Sequence, residues 1–222
     1  MPDDVRYLYG GDRAWDPTEW VTSDDRVRGG SSQSYLSVTS HRRACFHGHL
    51  DTKTLGGAGF ASQHTAGTLA LDLRDYDGIV VSIAGPDAAD GKRYALTLKD
   101  DIPPPGHDGR EQAGISWEAQ FTADKPGDVK LVWDDFKPTY RGRPKDAGKP
   151  LKRGDIQRIG LMMRSYFGKQ SGDFSLKLHG IVAWRHAMDG YESDDEESDC
   201  AKAVSVAPQT LPWWKRVLCC ML

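Results

Sequence analysis

The sequence predicts an all-β fold, an antiparallel β-sandwich or barrel, on three observations. Apolar residues recur at every second position in short segments, glycine and proline clusters separate those segments, and no helical period is sustained before residue 188. With 24 glycines and 12 prolines among 222 residues, the chain carries turn punctuation for many short strands. Pattern alone leaves a plain sandwich and a jelly roll both open.

The first organising element is the stretch 20–36. Trp20 opens it, Asp24-Asp25 and the cations Arg26 and Arg28 follow, and Gly29-Gly30 turns the chain. Serines after the turn offer hydroxyls to nearby amides. This reads as a structural corner, with a buried tryptophan and with carboxylates and arginines pairing to satisfy one another.

Strands then follow in order. Residues 35–38 are the first. In 44–50, Phe46 and Leu50 share one face while Cys45, His47 and His49 share the other. The glycine-rich stretch 56–60 turns into a strand at 61–63, and Leu69, Leu71 and Leu73 alternate after it. A turn at 75–78 leads into 79–83, whose nearly continuous apolar run suits a central strand. A strand at 94–98, alternation at Trp117, Ala119 and Phe121, and alternation at Val129, Leu131 and Trp133 continue the pattern. Segments 102–116 and 137–154 are rich in Pro and Gly and read as loops available for contacts. The last strands are 156–163 and 174–184, with Phe174, Leu176 and Leu178 on one face.

Composition divides the chain into a domain at 5–187, an acidic disordered linker at 188–210, and a short amphipathic tail at 211–222. Seven acids and three cations lie beyond residue 188, so the part before it nets +1 although the whole chain is −3. A nearly neutral body argues against nucleic acid as a partner. The 4 cysteines are too few and too unevenly placed for a disulfide framework, and asparagine is absent, so there is no glycosylation sequon. The acidic start Met1-Pro2-Asp3-Asp4 is neither a secretory signal nor a mitochondrial presequence. An intracellular, cytoplasmic chain is the expectation, with peripheral membrane contact through its tail.

Trp20 with Ser23-Asp24-Asp25 and Gly29-Gly30-Ser31-Ser32, Phe46-His47-Gly48-His49-Leu50, Gly56 to Ser62, Leu73-Arg74-Asp75-Tyr76-Asp77-Gly78-Ile79, Trp133 to Pro138 with Arg141-Gly142, and Gly172-Asp173-Phe174-Ser175-Leu176 with Ile181 occur in a telling order. Over residues 15–184 the chain resembles the complex I intermediate-associated protein 30 family. That resemblance implies a galactose-binding-like β-sandwich of the jelly-roll kind. It also implies a non-catalytic assembly or chaperone role in building respiratory complex I, with assembly intermediates as protein clients and the mitochondrion as compartment. The start of the chain and its C-terminal extension depart from the mitochondrial members.

Several constellations bear on chemistry. Cys45, His47 and His49 on one strand face form an incomplete zinc set; the set reads instead as a solvent-facing or loop-covered strand side, so no metal or other cofactor is expected. Asp24, Asp25 and Arg28 with Trp133, Asp135, Tyr140 and Arg141 are the candidate polar cleft for a carbohydrate or polyol. The same carboxylates and arginines read structurally as mutual partners. Glu111 and Glu118 are the glutamates between Glu19 and the acidic run, no G-x-S-x-G elbow is present, and no catalytic residues are assigned. Ser193 and Ser198 sit among acids as candidate phosphorylation sites. Cys219 and Cys220 follow Trp213-Trp214-Lys215-Arg216 as candidate lipidation sites, by prenylation or acylation. The sequence thus predicts a factor that binds protein clients without catalysis, with a carbohydrate-binding module or a membrane-anchored scaffold outside mitochondria as the alternatives.

Overall fold

The computed structural model describes residues 4–186, apart from residues 41, 86, 108 and 110. Among the described residues thirteen strands form in chain order: β1 (Asp4–Gly10), β2 (Trp20–Thr22), β3 (Gln33–Ser40), β4 (Arg43–Leu50), β5 (Phe60–Thr65), β6 (Gly78–Ile83), β7 (Arg93–Lys99), β8 (Ile115–Thr122), β9 (Gly127–Val132), β10 (Lys137–Tyr140), β11 (Arg143–Pro144), β12 (Arg158–Arg164) and β13 (Gly172–Arg185). Among the described residues, the helical elements are three short 3₁₀ turns, and no helix is long and apolar enough to cross a membrane. The acidic linker, Ser193, Ser198, Cys219, Cys220 and the tail lie outside the described residues.

All strand pairs are antiparallel and fall into two sheets. One runs β3-β4-β13-β6-β9, with β1 on the C-terminal half of β13 where β4 has ended. The other runs β11-β10-β8-β7-β12-β5-β2. This is the all-β sandwich that period-two alternation implies, because each sheet needs an apolar partner for one face.

The core lies between the sheets. Phe46 and Leu50 from β4, Leu176 and Leu178 from β13, and Ile79 and Val81 from β6 meet Ala61, Leu96, Leu98, Ala119 and Leu161 from the opposite sheet, all essentially buried. Rings add edge and tilted contacts: Phe46 lies 6.1 Å from Tyr94 of the opposite sheet and 5.1 Å from Phe174 on the neighbouring strand β13. In β13 the register slips between Leu178 and Gly180. The extra residue, His179, changes the phase, so Phe174, Leu176 and Leu178 give way to Ile181 and Ala183 on the core side. Its carbonyl accepts the Trp15 indole N–H at 3.2 Å. A Cβ on Gly10, which has φ +80°, would meet that same oxygen at 1.9 Å. Only glycine fits there.

Three details differ from the sequence reading. Leu69, Leu71 and Leu73 alternate without forming a strand; the segment makes a single bridge, Leu71 to Ile156. The predicted loop 137–154 opens with the hairpin β10–β11. Trp133 lies in the 3₁₀ turn after β9, not in the strand.

The corner at 20–36 joins the two sheets. Trp20 is buried against Tyr9 and Trp15, at ring distances of 4.9 and 5.9 Å. Gly29, at φ +83°, ends the 3₁₀ turn Asp25–Arg28. Asp24 and Asp25 are buried, and their partners are hydroxyls and amides rather than the arginines. Asp24 accepts the Ser34 hydroxyl at 2.6 Å and amide at 2.9 Å on β3, and the Ser62 amide at 2.9 Å on β5. Asp25 accepts the Ser32 hydroxyl at 2.6 Å, the Ser32 amide at 3.0 Å and the Phe60 amide at 3.2 Å. Since β3 and β5 belong to different sheets, the two carboxylates clasp one sheet to the other. A Cβ on Gly30 would lie 2.3 Å from an Asp25 oxygen, which explains the second glycine.

Candidate binding groove

Side chains that leave the core side of the seven-stranded sheet form the floor of a groove of about 1370 Å³. Register places His64 opposite Gly160, Gly160 opposite Thr97, and Thr97 opposite Glu118, so one row crosses β5, β12, β7 and β8. Arg158 stands opposite Lys99 on the neighbouring row, and Met162 stands opposite Ser62. Gly160 keeps the row shallow, because a Cβ there would meet the Thr97 hydroxyl at 2.6 Å. Residues 26–28, 111–114, 141–142 and 165–169 supply lining at the rim.

The floor is ionic. Glu118 is buried, accepts the Thr139 hydroxyl at 2.6 Å, and pairs with Arg164. Glu111 pairs with Arg158 and lies 3.4 Å from Lys99 Nζ. Burial raises the Glu111 carboxyl, but the Arg158 hydrogen bond and charge, with Lys99, outweigh it and hold the group below its ordinary value. Burial lowers Lys99 against the pull of Glu111. Burial also lowers His64, opposed by the Thr65 carbonyl at 2.9 Å and reinforced by Arg158. His64 is therefore a neutral ring near pH 7.

Aromatic rings gather at one end. The Arg28 guanidinium lies 5.3 Å from the Phe60 ring centre, and Arg93 and Arg164 lie 5.1 and 5.6 Å from that of Tyr166. Tyr166 and Phe167 have φ of +46° and +58°, and Phe167 is 86% exposed. The Tyr166 hydroxyl and Arg158 Nε are buried with no hydrogen-bond partner among the described residues.

Of the candidate polar-cleft residues named from sequence, the groove contains Arg28 and Arg141. Asp24 and Asp25 are spent in the clasp. Trp133 packs on the core, donates to the Tyr76 carbonyl at 2.6 Å, and carries Arg153 over its ring. Asp135 accepts the Val132 amide at 2.9 Å and lines a smaller depression of about 370 Å³. Tyr140 is partly exposed beside Arg141. On the other sheet, His47 meets the Ser37 hydroxyl at 2.8 Å, His49 meets Asp173 at 2.6 Å, and Cys45 lies 3.4 Å from the Ser175 hydroxyl. Among the described residues no group of three or more metal-ligating side chains comes together.

The sequence reading missed His64, Lys99, Arg158 and Arg164 as groove residues. The one signal was a cation, or a histidine, at the outward position of an otherwise apolar strand. Parts of both predicted contact loops, 102–116 and 137–154, do reach the rim.

Residues 11–178 match the family model of complex I intermediate-associated protein 30. The chain is 38% identical over 184 residues to an uncharacterized protein of Schizosaccharomyces pombe, covering 79% of this chain and 82% of that one. Among solved structures it is similar to the family 11 carbohydrate-binding module of the Clostridium thermocellum cellulosomal cellulase Lic26A-Cel5E. The TM-score is 0.54 at 13% identity, over 84% of this chain and 97% of the module. At that identity the similarity shows the fold alone. The chain belongs to the complex I intermediate-associated protein 30 family.

Proposed function

We propose that this member of the complex I intermediate-associated protein 30 family is a non-catalytic assembly factor, and that it seats a segment of a protein client in the groove of the seven-stranded sheet. Family membership supports the assembly role. The observation that carries the groove is its construction: a wide floor drawn from four strands, with both of its glutamates engaged by arginines. A hydrolytic acid–base pair needs one carboxyl free to hold a proton near neutrality. Here Glu111 is held ionised by Arg158, and the oxygens of Glu118 are taken by Arg164 and Thr139.

A carbohydrate-binding module is the second reading, supported by the fold it shares with one. Such modules stack sugar rings on open aromatic faces. In this groove Arg28 covers Phe60, Arg93 and Arg164 flank Tyr166, and Phe167 is left as the single open ring among the described lining residues. That arrangement favours the protein client.

The test is co-purification of complex I assembly intermediates with the full chain from its own cells. The rim variant Arg26→Gln, Arg28→Gln, Lys169→Gln should lose them, while Tyr35→Ala, an exposed change on the other sheet, should keep them. Retention by the rim variant would refute the groove as the seat.

A further inference from the structure

The charge of the groove is one-sided. Seven cationic side chains line it among the described residues, and its two carboxylates are already matched to Arg158 and Arg164. The body up to residue 188 nets only +1, so this face concentrates positive charge that the rest balances. Rim cations Arg26, Arg28 and Lys169 are exposed. A guanidinium stacked on a ring, as Arg28 is on Phe60, keeps its in-plane N–H donors directed outward for a carboxylate.

Two further features ask for a ligand with acceptors and an apolar side chain. Arg158 Nε and the Tyr166 hydroxyl are buried donors without an acceptor among the described residues, and an extended backbone presents carbonyl oxygens at regular intervals. Phe167 sits in a backbone region that side-chain-bearing residues rarely adopt, yet it is 86% exposed, so its own burial does not offset the strain.

We infer that the groove binds an acidic, extended peptide segment, with its carboxylates on Arg26, Arg28 and Lys169 and an apolar side chain against Phe167. This rests on the reading of the groove as the client seat and names the chemistry of what sits there. Nucleic acid fits less well, because single strands stack successive bases on a series of open aromatic faces, whereas Phe60 and Tyr166 are covered by guanidinium groups and Phe167 is the one open ring among the described lining residues.

The experiment is fluorescence anisotropy of the full chain with a short labelled peptide of alternating Glu and Leu, its Gln-for-Glu counterpart, and a mixed-linked glucan tetrasaccharide as competitor. The Glu peptide should bind, weaken as salt is added, and lose roughly tenfold in affinity with Arg26→Gln, Arg28→Gln, Lys169→Gln, since three exposed charges each contribute a modest share. The Gln peptide should bind far more weakly, and the glucan should not compete. Equal binding of the two peptides, an unaffected rim variant, or displacement by glucan would each overturn the inference. If the Glu peptide does not bind while the rim variant still loses the assembly intermediates, the acidic chemistry falls and the client seat stands. If the rim variant keeps the intermediates, the seat itself falls.

Discussion

Glu118 on β8 and Arg164 at the end of β12 form an ion pair that reaches across the intervening strand β7. Their side chains are 3% and 15% exposed. Breaking one side of such a pair leaves a desolvated charge without its partner, at a cost of about 3–5 kcal/mol. Glu118→Gln, which keeps an acceptor for Thr139, should therefore lower the unfolding free energy by about that amount. The paired change Glu118→Leu with Arg164→Met should recover most of it. Urea denaturation of the three chains measures this, and a Glu118→Gln loss below about 1 kcal/mol would show the pair to be as weak as a surface one.

Asp25 holds three donors with one carboxylate, and the donors come from both sides of the sandwich. Asp25→Ala leaves the Ser32 and Phe60 amides unpaired in a buried corner, each costing about 1–3 kcal/mol. The expected outcome is a drop of at least about 3 kcal/mol in stability. A midpoint of unfolding equal to wild type would contradict the clasp.

Much of the sandwich was legible because burial on one face writes itself as alternation; β4, β7, β8 and β13 show it plainly. The strands that escaped have physical reasons. In β1 a register shift between Tyr7 and Tyr9 places Leu8 and Tyr9 both in the interior, which breaks the period. The β10 strand is four residues with a proline and an outward lysine, and β11 is two. Alternation at Leu69, Leu71 and Leu73 reported packing of an extended chain, and did not distinguish that from a ladder. The corner at Asp24-Asp25 was visible, but its partners were not, since Ser34 and Ser62 are brought beside Asp24 only by closure of the two sheets. The groove was nearly invisible for the same reason. His64, Lys99, Glu118 and Arg158 stand on four separate strands, and adjacency in a sheet is not adjacency in sequence.

His64 gives the fold a pH dependence. Its folded value lies below the ordinary 6.5, chiefly through burial. Above that value both states are neutral and the group contributes nothing. As pH falls through 6.5 the unfolded chain takes up the proton first, so stability declines until the folded ring also protonates. His64→Gln should flatten the decline between neutrality and mild acid in thermal melts. An identical slope in that window would remove His64 as its source.

Phe167 is held at φ +58°. A left-handed conformation costs a side-chain-bearing residue about 1–2 kcal/mol, which glycine avoids. Phe167→Gly should leave stability equal or higher while weakening the Glu–Leu peptide. A destabilised variant with unchanged peptide affinity would mean that the ring serves the fold and not the ligand.

Hydrogen–deuterium exchange of the full chain, with and without the acidic peptide, tests the central claim most directly because it reports where the ligand sits. The groove account predicts slowed exchange at residues 26–29, 111–114 and 165–169, the rim segments outside the strand ladders, with β3 and β4 unchanged. Protection confined to β3, β4 and the outer side of β13, with the rim unaffected, would contradict it.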